Sequence, residues 1–249
     1  MKDLANSRAL PRRLLIALAG ALLAAQTAQA QSSWGGIFTS VNLASDYRYQ
    51  GVSSSDGNPV TQASIYWWRP DNFYAGVFLS EVDFDDPGHT SYEVDLYGGR
   101  HFDLNGKKTR VTLEGMFTAF PDEHVYGPTY NFVQAKLAAR HTEDRLTLGA
   151  VASYVPEASY GSGVAWRAEG EAAYALTPNL AVKGGVGRRW IERGYDRTYW
   201  NLGAVTTWKT LALDVRYVDT DLSRAECGGR DWCAPAVVGT LTLSLPPLY

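Results

Sequence analysis

Charged side chains recur at even spacings in stretches otherwise made largely of small and apolar residues. They are Asp46 and Arg48; Glu93 and Asp95; Arg110 and Glu114; Lys136; Arg167, Glu169 and Glu171; Lys183 and Arg189; and Asp214 and Arg216. In an extended chain, residues two apart project to the same side, so each set shares one face. With Asn42, Gln62, Ser64, Gln134, Arg145 and Asn201 they would line an aqueous passage whose charge sets ion selectivity. A basic rung of Arg48, Arg110, Lys136, Arg167, Lys183 and Arg216 would attract an anionic solute. The competing arrangement pairs Glu93, Asp95 and Glu114 with those cations across a narrow bore and plugs it.

Other chemistries have weaker support. His89 and Ser91 lie two apart in Pro87-Gly88-His89-Thr90-Ser91, a spacing also found in outer-membrane lipid hydrolases. A nucleophilic serine needs a base and a third group to orient that base, and no compelling orienter is nearby. His101, His124 and His141 have no ligand spacing, and the chain contains no G-x-S-x-G or H-E-x-x-H. Asp83, Asp85 and Asp86, with Asp219 and Asp221, lack the ordered glycine and distal glutamate of a calcium loop and read as solvated acidic loops. We therefore expect no enzyme activity, catalytic residue, metal or cofactor.

The elements that must carry these faces follow a hairpin rhythm. Leu43 to Val60 begins as an alternating strand, breaks at Gly51-Val52-Ser53-Ser54-Ser55-Asp56-Gly57-Asn58-Pro59, and resumes at Val60. Twelve strands are expected: 36 to 50, 60 to 68, 73 to 83, 92 to 102, 109 to 120, 130 to 140, 145 to 155, 164 to 174, 180 to 190, 199 to 208, 211 to 219 and 236 to 245. Most run near the 9 to 11 residues of a tilted membrane strand. Connections alternate long (51 to 59, 84 to 91, 121 to 129, 156 to 163, 191 to 198, 220 to 235) and short (69 to 72, 103 to 108, 141 to 144, 175 to 179, 209 to 210). Outer-membrane barrels show that asymmetry, with short periplasmic turns and longer external loops.

A soluble sandwich or lipocalin-like barrel also alternates. Against it stand aromatics at strand ends (Tyr47, Tyr49, Tyr66, Trp67, Trp68, Phe73, Tyr74, Trp190, Tyr199, Trp200, Trp208, Tyr217), which suit interface girdles. A dry core would also reject such charged faces. The fold class is all-β, a transmembrane antiparallel up-and-down barrel of twelve strands.

Residues 1–30 read as a cleaved export signal: Lys2, Arg8, Arg12 and Arg13, an apolar run from Leu14 to Ala25, then Ala28-Gln29-Ala30, with cleavage before Gln31. The barrel would occupy 31–249 as one domain. The whole chain carries a formal net charge of −3; without residues 1–30 it has 19 basic against 25 acidic side chains, or −6. That balance does not suit nucleic acid. In an oxidising compartment Cys227 and Cys233 should form a disulfide that stiffens the last long loop. Two thiolates alone do not complete a metal shell.

Ser45-Asp46-Tyr47-Arg48-Tyr49-Gln50-Gly51-Val52-Ser53 with Ser55-Asp56-Gly57-Asn58-Pro59 resembles the first hairpin of the TorF porin family (Gcw_chp), proteobacterial proteins of unknown function. Phe73 to Val77 running to Phe84, Glu93 to Gly99, and Tyr217 to Leu222 before the cysteine pair are similar to the same family. The resemblance implies an outer-membrane barrel and carries no established substrate. The expected protein is a porin-like outer-membrane channel of a Gram-negative cell, passing small polar or charged solutes by diffusion. The alternatives are a closed structural or receptor-like barrel acting through its external loops and, more distantly, a lipid hydrolase. Expected partners are outer-membrane lipid and lipopolysaccharide, the solutes, and the barrel assembly machinery, which reads an aromatic C-terminus. Here Pro246-Pro247 are expected to stop the ladder before Leu248-Tyr249.

Overall fold

The computed structural model describes residues 35–124 and 129–248. The export signal at 1–30, its cleavage site before Gln31, and Tyr249 lie outside the described residues.

Alternation produces the strands the sequence predicts, with one exception. In chain order they are β1 (Gly36–Ala44), β2 (Arg48–Tyr49), β3 (Val52–Ser53), β4 (Val60–Trp68), β5 (Phe73–Glu81), β6 (Tyr92–Leu104), β7 (Thr109–Ala119), β8 (Phe132–Glu143), β9 (Leu146–Ala158), β10 (Gly163–Thr177), β11 (Leu180–Ile191), β12 (Arg197–Trp208), β13 (Leu211–Thr220) and β14 (Ala236–Ser244). Twelve close into an antiparallel barrel in the order β1-β14-β13-β12-β11-β10-β9-β8-β7-β6-β5-β4, and β2 and β3 pair separately. Closure gives every ladder a partner and leaves no open edge in lipid. The exception is the expected strand 36 to 50, which stops at Ala44.

Outward faces are apolar and exposed, as Leu43, Leu96, Leu113, Leu137, Val186, Leu202 and Val215 show. In water these residues would be a liability; against lipid tails they are the stabilising surface. Trp166 and Trp190, cross-strand partners, sit with Trp200 near the external rim, while Phe73 and Trp208 lie near the short turns. The expected girdle is therefore only partly correct. Tyr74 and Tyr199 are 5% exposed and face inward, Tyr66 bonds His101 inside, and Tyr47 and Tyr49 leave the wall altogether.

Several strands overrun their expected ends. β9 and β10 reach 13 and 15 residues, so the connection expected over 156 to 163 shrinks to 159–162. Pro156 falls where the β9–β10 register shifts, between the pairs Ala165↔Val155 and Gly163↔Ala158, where its missing N–H costs no ladder bond. β1, β4, β5 and β14 have nine residues each, so the wall is low on that side and tall across β8 to β12.

The C-terminal prolines interrupt the ladder without ending it. Ser40 pairs with Ser244, and beyond Pro246-Pro247 Ile37 and Leu248 exchange bonds of 2.8 and 2.9 Å in a register slipped by one residue.

Candidate functional site: the external mouth

Where β1 was expected to continue, the chain turns into the barrel. The Asp46 carboxylate, 6% exposed, organises the turn. It accepts from Arg48 Nε at 2.5 Å, Ser53 Oγ at 2.7 Å and Ser55 Oγ at 3.1 Å, while Ser54 N donates to the Tyr47 carbonyl at 2.6 Å. Gln50 (φ 54°) and Gly51 (φ 85°) reverse the chain between β2 and β3. A Cβ at Gly51 would approach Tyr199 and Thr220 Cβ atoms to 2.9 Å, so the tip is seated directly on β12 and β13.

This hairpin spans the bore. At one end Tyr47 OH donates to Glu93 Oε1 on β6 at 2.8 Å; at the other, Arg197 Nη2 on β12 donates to Gln50 Oε1 at 3.0 Å. In the barrel order β6 and β12 are six strands apart among twelve, that is, diametrically opposite. Over one half of the mouth, external loops hold the hairpin down. Arg48 Nη1 donates to the Ala234 carbonyl at 2.7 Å, Trp232 Nε1 to Asp56 Oδ1 at 2.6 Å, and Asp83 N to the Ser54 carbonyl at 2.9 Å. Arg230 pairs with Asp85, and the Cys227–Cys233 disulfide, Cα atoms 6.2 Å apart, closes the ring beside Ala234.

Over the other half a cavity of about 570 Å³ remains between the hairpin and the β7–β11 wall. Its lining includes Glu93 and Asp95 at one side, Thr118, Gln134 and Ser153 along the wall, and Arg167, Arg189 and Arg197 at the other side. Tyr49, Phe120, Tyr130, Phe132 and Tyr160 supply aromatic surface.

The residues predicted from sequence fall into three groups. Asp46 and Arg48 belong to the inward hairpin rather than to the wall, because the strand meant to carry them ends early. Along the inner face, cations and carboxylates are mostly matched: Lys136 with Glu114 at 2.5 Å, Arg216 with Asp214 at 2.5 Å, Lys183 with the same Asp214, and Arg110 with Asp103 at 2.7 Å. Tyr74 OH also donates to Glu114 at 2.7 Å. Glu93 and Asp95 accept from the hydroxyls of Tyr47 and Thr118, the latter at 2.5 Å, rather than from cations. Glu171 packs over Gly149, where an added Cβ would meet its Cγ at 2.5 Å. Third, Arg167, Arg189 and Arg197 come together, since Arg189 is the direct cross-strand partner of both others.

Arg197 was missed because 191 to 198 read as loop; β11 and β12 extend the wall and leave only 192–196 as the turn. Its signal was the reflection of Arg189 about Arg193 in the turn. Arg145 sits at the short β8–β9 turn, exposed. Ser91 Oγ donates to the His89 backbone carbonyl at 2.7 Å, so the hydroxyl engages main chain and not the imidazole. The acidic loop residues are engaged too: Asp86 accepts from Thr90 N and Oγ1 at 2.8 and 2.9 Å, and Asp221 from Thr198 N at 2.7 Å. Burial and the neighbouring Asp56 and Asp86 raise the Asp83 carboxyl above its ordinary value.

A closed twelve-strand barrel with an apolar belt, a charged bore and an inward-folded hairpin defines a transmembrane protein of the outer-membrane porin architecture. The chain belongs to the family described as "Bacterial protein of unknown function (Gcw_chp)", whose model matches residues 27–245. Among solved structures it is similar to the COG4313 outer membrane channel from Pseudomonas putida F1, at 11% identity and TM-score 0.57, covering 88% of this chain and 99% of that one. It is also similar to the KdgM porin, at 10% identity and TM-score 0.54, covering 83% and 98%. A comparison with curated sequences returned no match. At such identities the likeness concerns the fold.

Proposed function

We propose that the protein is a porin-like channel of the outer membrane of a Gram-negative cell, admitting small polar or charged solutes by passive diffusion through a mouth narrowed by the 45–59 hairpin. The observation that carries this reading is the hairpin's diametric span, beside which a charged cavity of about 570 Å³ remains along β7 to β11. Below the opening, Glu114, Lys136, Glu169, Glu171, Lys183, Asp214, Arg216 and Arg110 present hydrated charge along the passage, with Glu93, Asp95, Arg167 and Arg189 at the opening itself. Twelve strands lie between eight-stranded barrels, whose interiors side chains fill, and sixteen-stranded open ones. Residues 1–30 would direct export and be removed before Gln31, and residues 31–249 would be inserted by the assembly machinery among lipid and lipopolysaccharide.

Single-channel recording in a planar bilayer tests this, using protein whose migration on a gel changes on boiling. Discrete, ion-selective steps of small conductance are expected. Silence from folded protein would shift the function to a closed barrel acting through its external loops, a reading that the Arg230–Asp85 and Trp232–Asp56 contacts over the mouth would then support.

A further inference from the structure

Three guanidinium groups on adjacent strands, directly opposite one another, are a destabilising arrangement unless something negative sits among them. The barrel matches most of its other inner-face cations with carboxylates within 2.7 Å, as at Lys136, Arg110 and Arg216, while Arg140, across the ladder from Arg110, is exposed near the short turns. At Arg167, Arg189 and Arg197 it does not. Glu169 is 3.6 Å from Arg167 Nη1, and the same oxygen already accepts from Tyr199 OH at 2.6 Å. Arg197 spends its Nη2 on the neutral Gln50 side chain and the Tyr49 carbonyl. Among the described residues, the buried Nε atoms of Arg167 and Arg197 have no hydrogen-bond partner. A buried donor left unmade is costly, so the site is built to receive an acceptor.

The rest of the cavity says what that acceptor is attached to. Opposite the arginines stand Glu93 and Asp95, which accept from hydroxyls and not from cations, so a second carboxylate at the far end of a ligand would find no cationic partner there. Between them Thr118, Gln134 and Ser153 line the wall, and Phe120, Phe132, Tyr130 and Tyr160 add aromatic surface, the last two with rings 4.2 Å apart. A volume of about 570 Å³ falls within the range of small-molecule pockets.

We infer that Arg167, Arg189 and Arg197 form a carboxylate-binding subsite in the external mouth that selects monoanionic organic acids with an apolar or aromatic body. This deepens the channel reading and rests on it for its role in permeation. The guanidinium fork matches a carboxylate in plane, the aromatic surface holds the body, and the Glu93–Asp95 end offers a second carboxylate no cation.

Calorimetric titration of the detergent-purified protein with benzoate, benzamide and terephthalate, beside bilayer recording with each, tests the subsite. Benzoate should bind and reduce chloride current, its neutral isostere benzamide should not, and the dianion terephthalate should bind more weakly. Arg189→Gln should weaken benzoate binding by about tenfold or more, the loss expected when a charged hydrogen bond is removed, while Arg189→Lys should retain part of it. Folding of each variant is checked by heat-modifiable gel migration. Equal binding of benzoate and benzamide, terephthalate binding as tight as benzoate, or native affinity in both Arg189→Gln and Arg197→Gln would overturn the proposal. Benzoate binding without any conductance would uphold the subsite and remove the channel. Conductance without benzoate binding would do the reverse.

Discussion

The two halves of the external mouth are built from the same ingredients and reach opposite ends. On the β13, β14, β1, β4 and β5 side the strands are short, and the hairpin, the 82–91 loop and the disulfide-closed 221–235 loop lock together through Arg48, Asp56, Asp83 and Arg230. On the β7 to β11 side most strands are long, the external turns after β9 and β11 are short, and the 82–91 loop reaches only the near corner, where Phe84 packs on Phe120 and Tyr130 and Asp86 accepts from Tyr130 OH. Strand length thus substitutes for loop length. A tall wall keeps charged side chains pointing into water, whereas a low wall leaves room for chain to fold over it. The low side buries a matched charge pair, Asp46 with Arg48, and the tall side keeps three arginines that the protein does not match.

Removing the structure that separates the halves should have the largest effect. Replacing residues 46–57 with a short Gly-Ser link would free the whole bore, and single-channel conductance should rise several-fold. An unchanged conductance would place the narrowest point below the mouth. Asp46→Ala should come close to this. It strips a buried carboxylate from Arg48, Ser53 and Ser55, and breaking a buried pair on one side costs roughly 3–5 kcal/mol. Conductance should approach that of the deletion, with the barrel still heat-modifiable. If Asp46→Ala recorded as native, the hairpin would be held by its contacts to β6 and β12 alone.

An intermediate effect is expected at the disulfide. By loop entropy a ring of this size contributes about 2 kcal/mol to loop order. Cys227→Ser with Cys233→Ser should loosen the Ala234 carbonyl that Arg48 uses and add flicker to the open state, without altering mean conductance as deletion does. Quiet traces from the double variant would show that Trp232 and Arg230 suffice.

How much of this the chain announced differs between the halves for a physical reason. The tall half was legible: period-two alternation in β6 to β13 set the strands, and charge on alternate residues identified the inner face. The low half misled, because Leu43, Ser45, Tyr47 and Tyr49 continue the alternation of β1 beyond its end. A hairpin packed inside a polar-lined barrel has one face against aromatics and one against polar groups, the same pattern as a wall strand. Periodicity reports that a segment has two unlike sides and is silent on what lies beside it. The turn at Gln50-Gly51, read as the loop's start, was in fact its middle. Arg197 escaped for the complementary reason: with 191 to 198 read as loop, its reflection of Arg189 across the turn was not taken as a ladder pair, and pairing logic disfavours like charges there.

A smaller effect should come from acid. The Asp83 backbone N–H holds the hairpin at Ser54, and burial, followed by the charges of Asp56 and Asp86, raises its carboxyl above the ordinary value of 3.8; His89 and Arg230 act the other way. A raised carboxyl binds its proton more tightly in the docked loop than in the free one. Docking therefore strengthens as pH falls through the raised value and weakens above it. The low half should tighten in acid, seen as a modest fall in conductance and flicker. Asp83→Asn, which cannot ionise, should remain in the quiet state across that range. A pH response unchanged in Asp83→Asn would assign it to other groups.

The smallest effect sharpens the comparison from the far end of the bore. Arg110 pairs with Asp103 near the short turns, with its side chain 47% exposed, against 7% for Arg48. Exposed pairs contribute up to about 1 kcal/mol, so Arg110→Ala should barely move the thermal midpoint. Its effect on permeation depends on where the resistance lies. If the opening between the hairpin and the β7–β11 wall dominates, loss of one charge at the wide end leaves ion selectivity nearly as it was, while Arg167→Ala at the opening shifts it toward cations. Reversal potentials for the two variants in a salt gradient separate these cases. Equal shifts would mean that charge is read along the whole bore, and the contrast between the halves of the mouth would then concern folding more than passage.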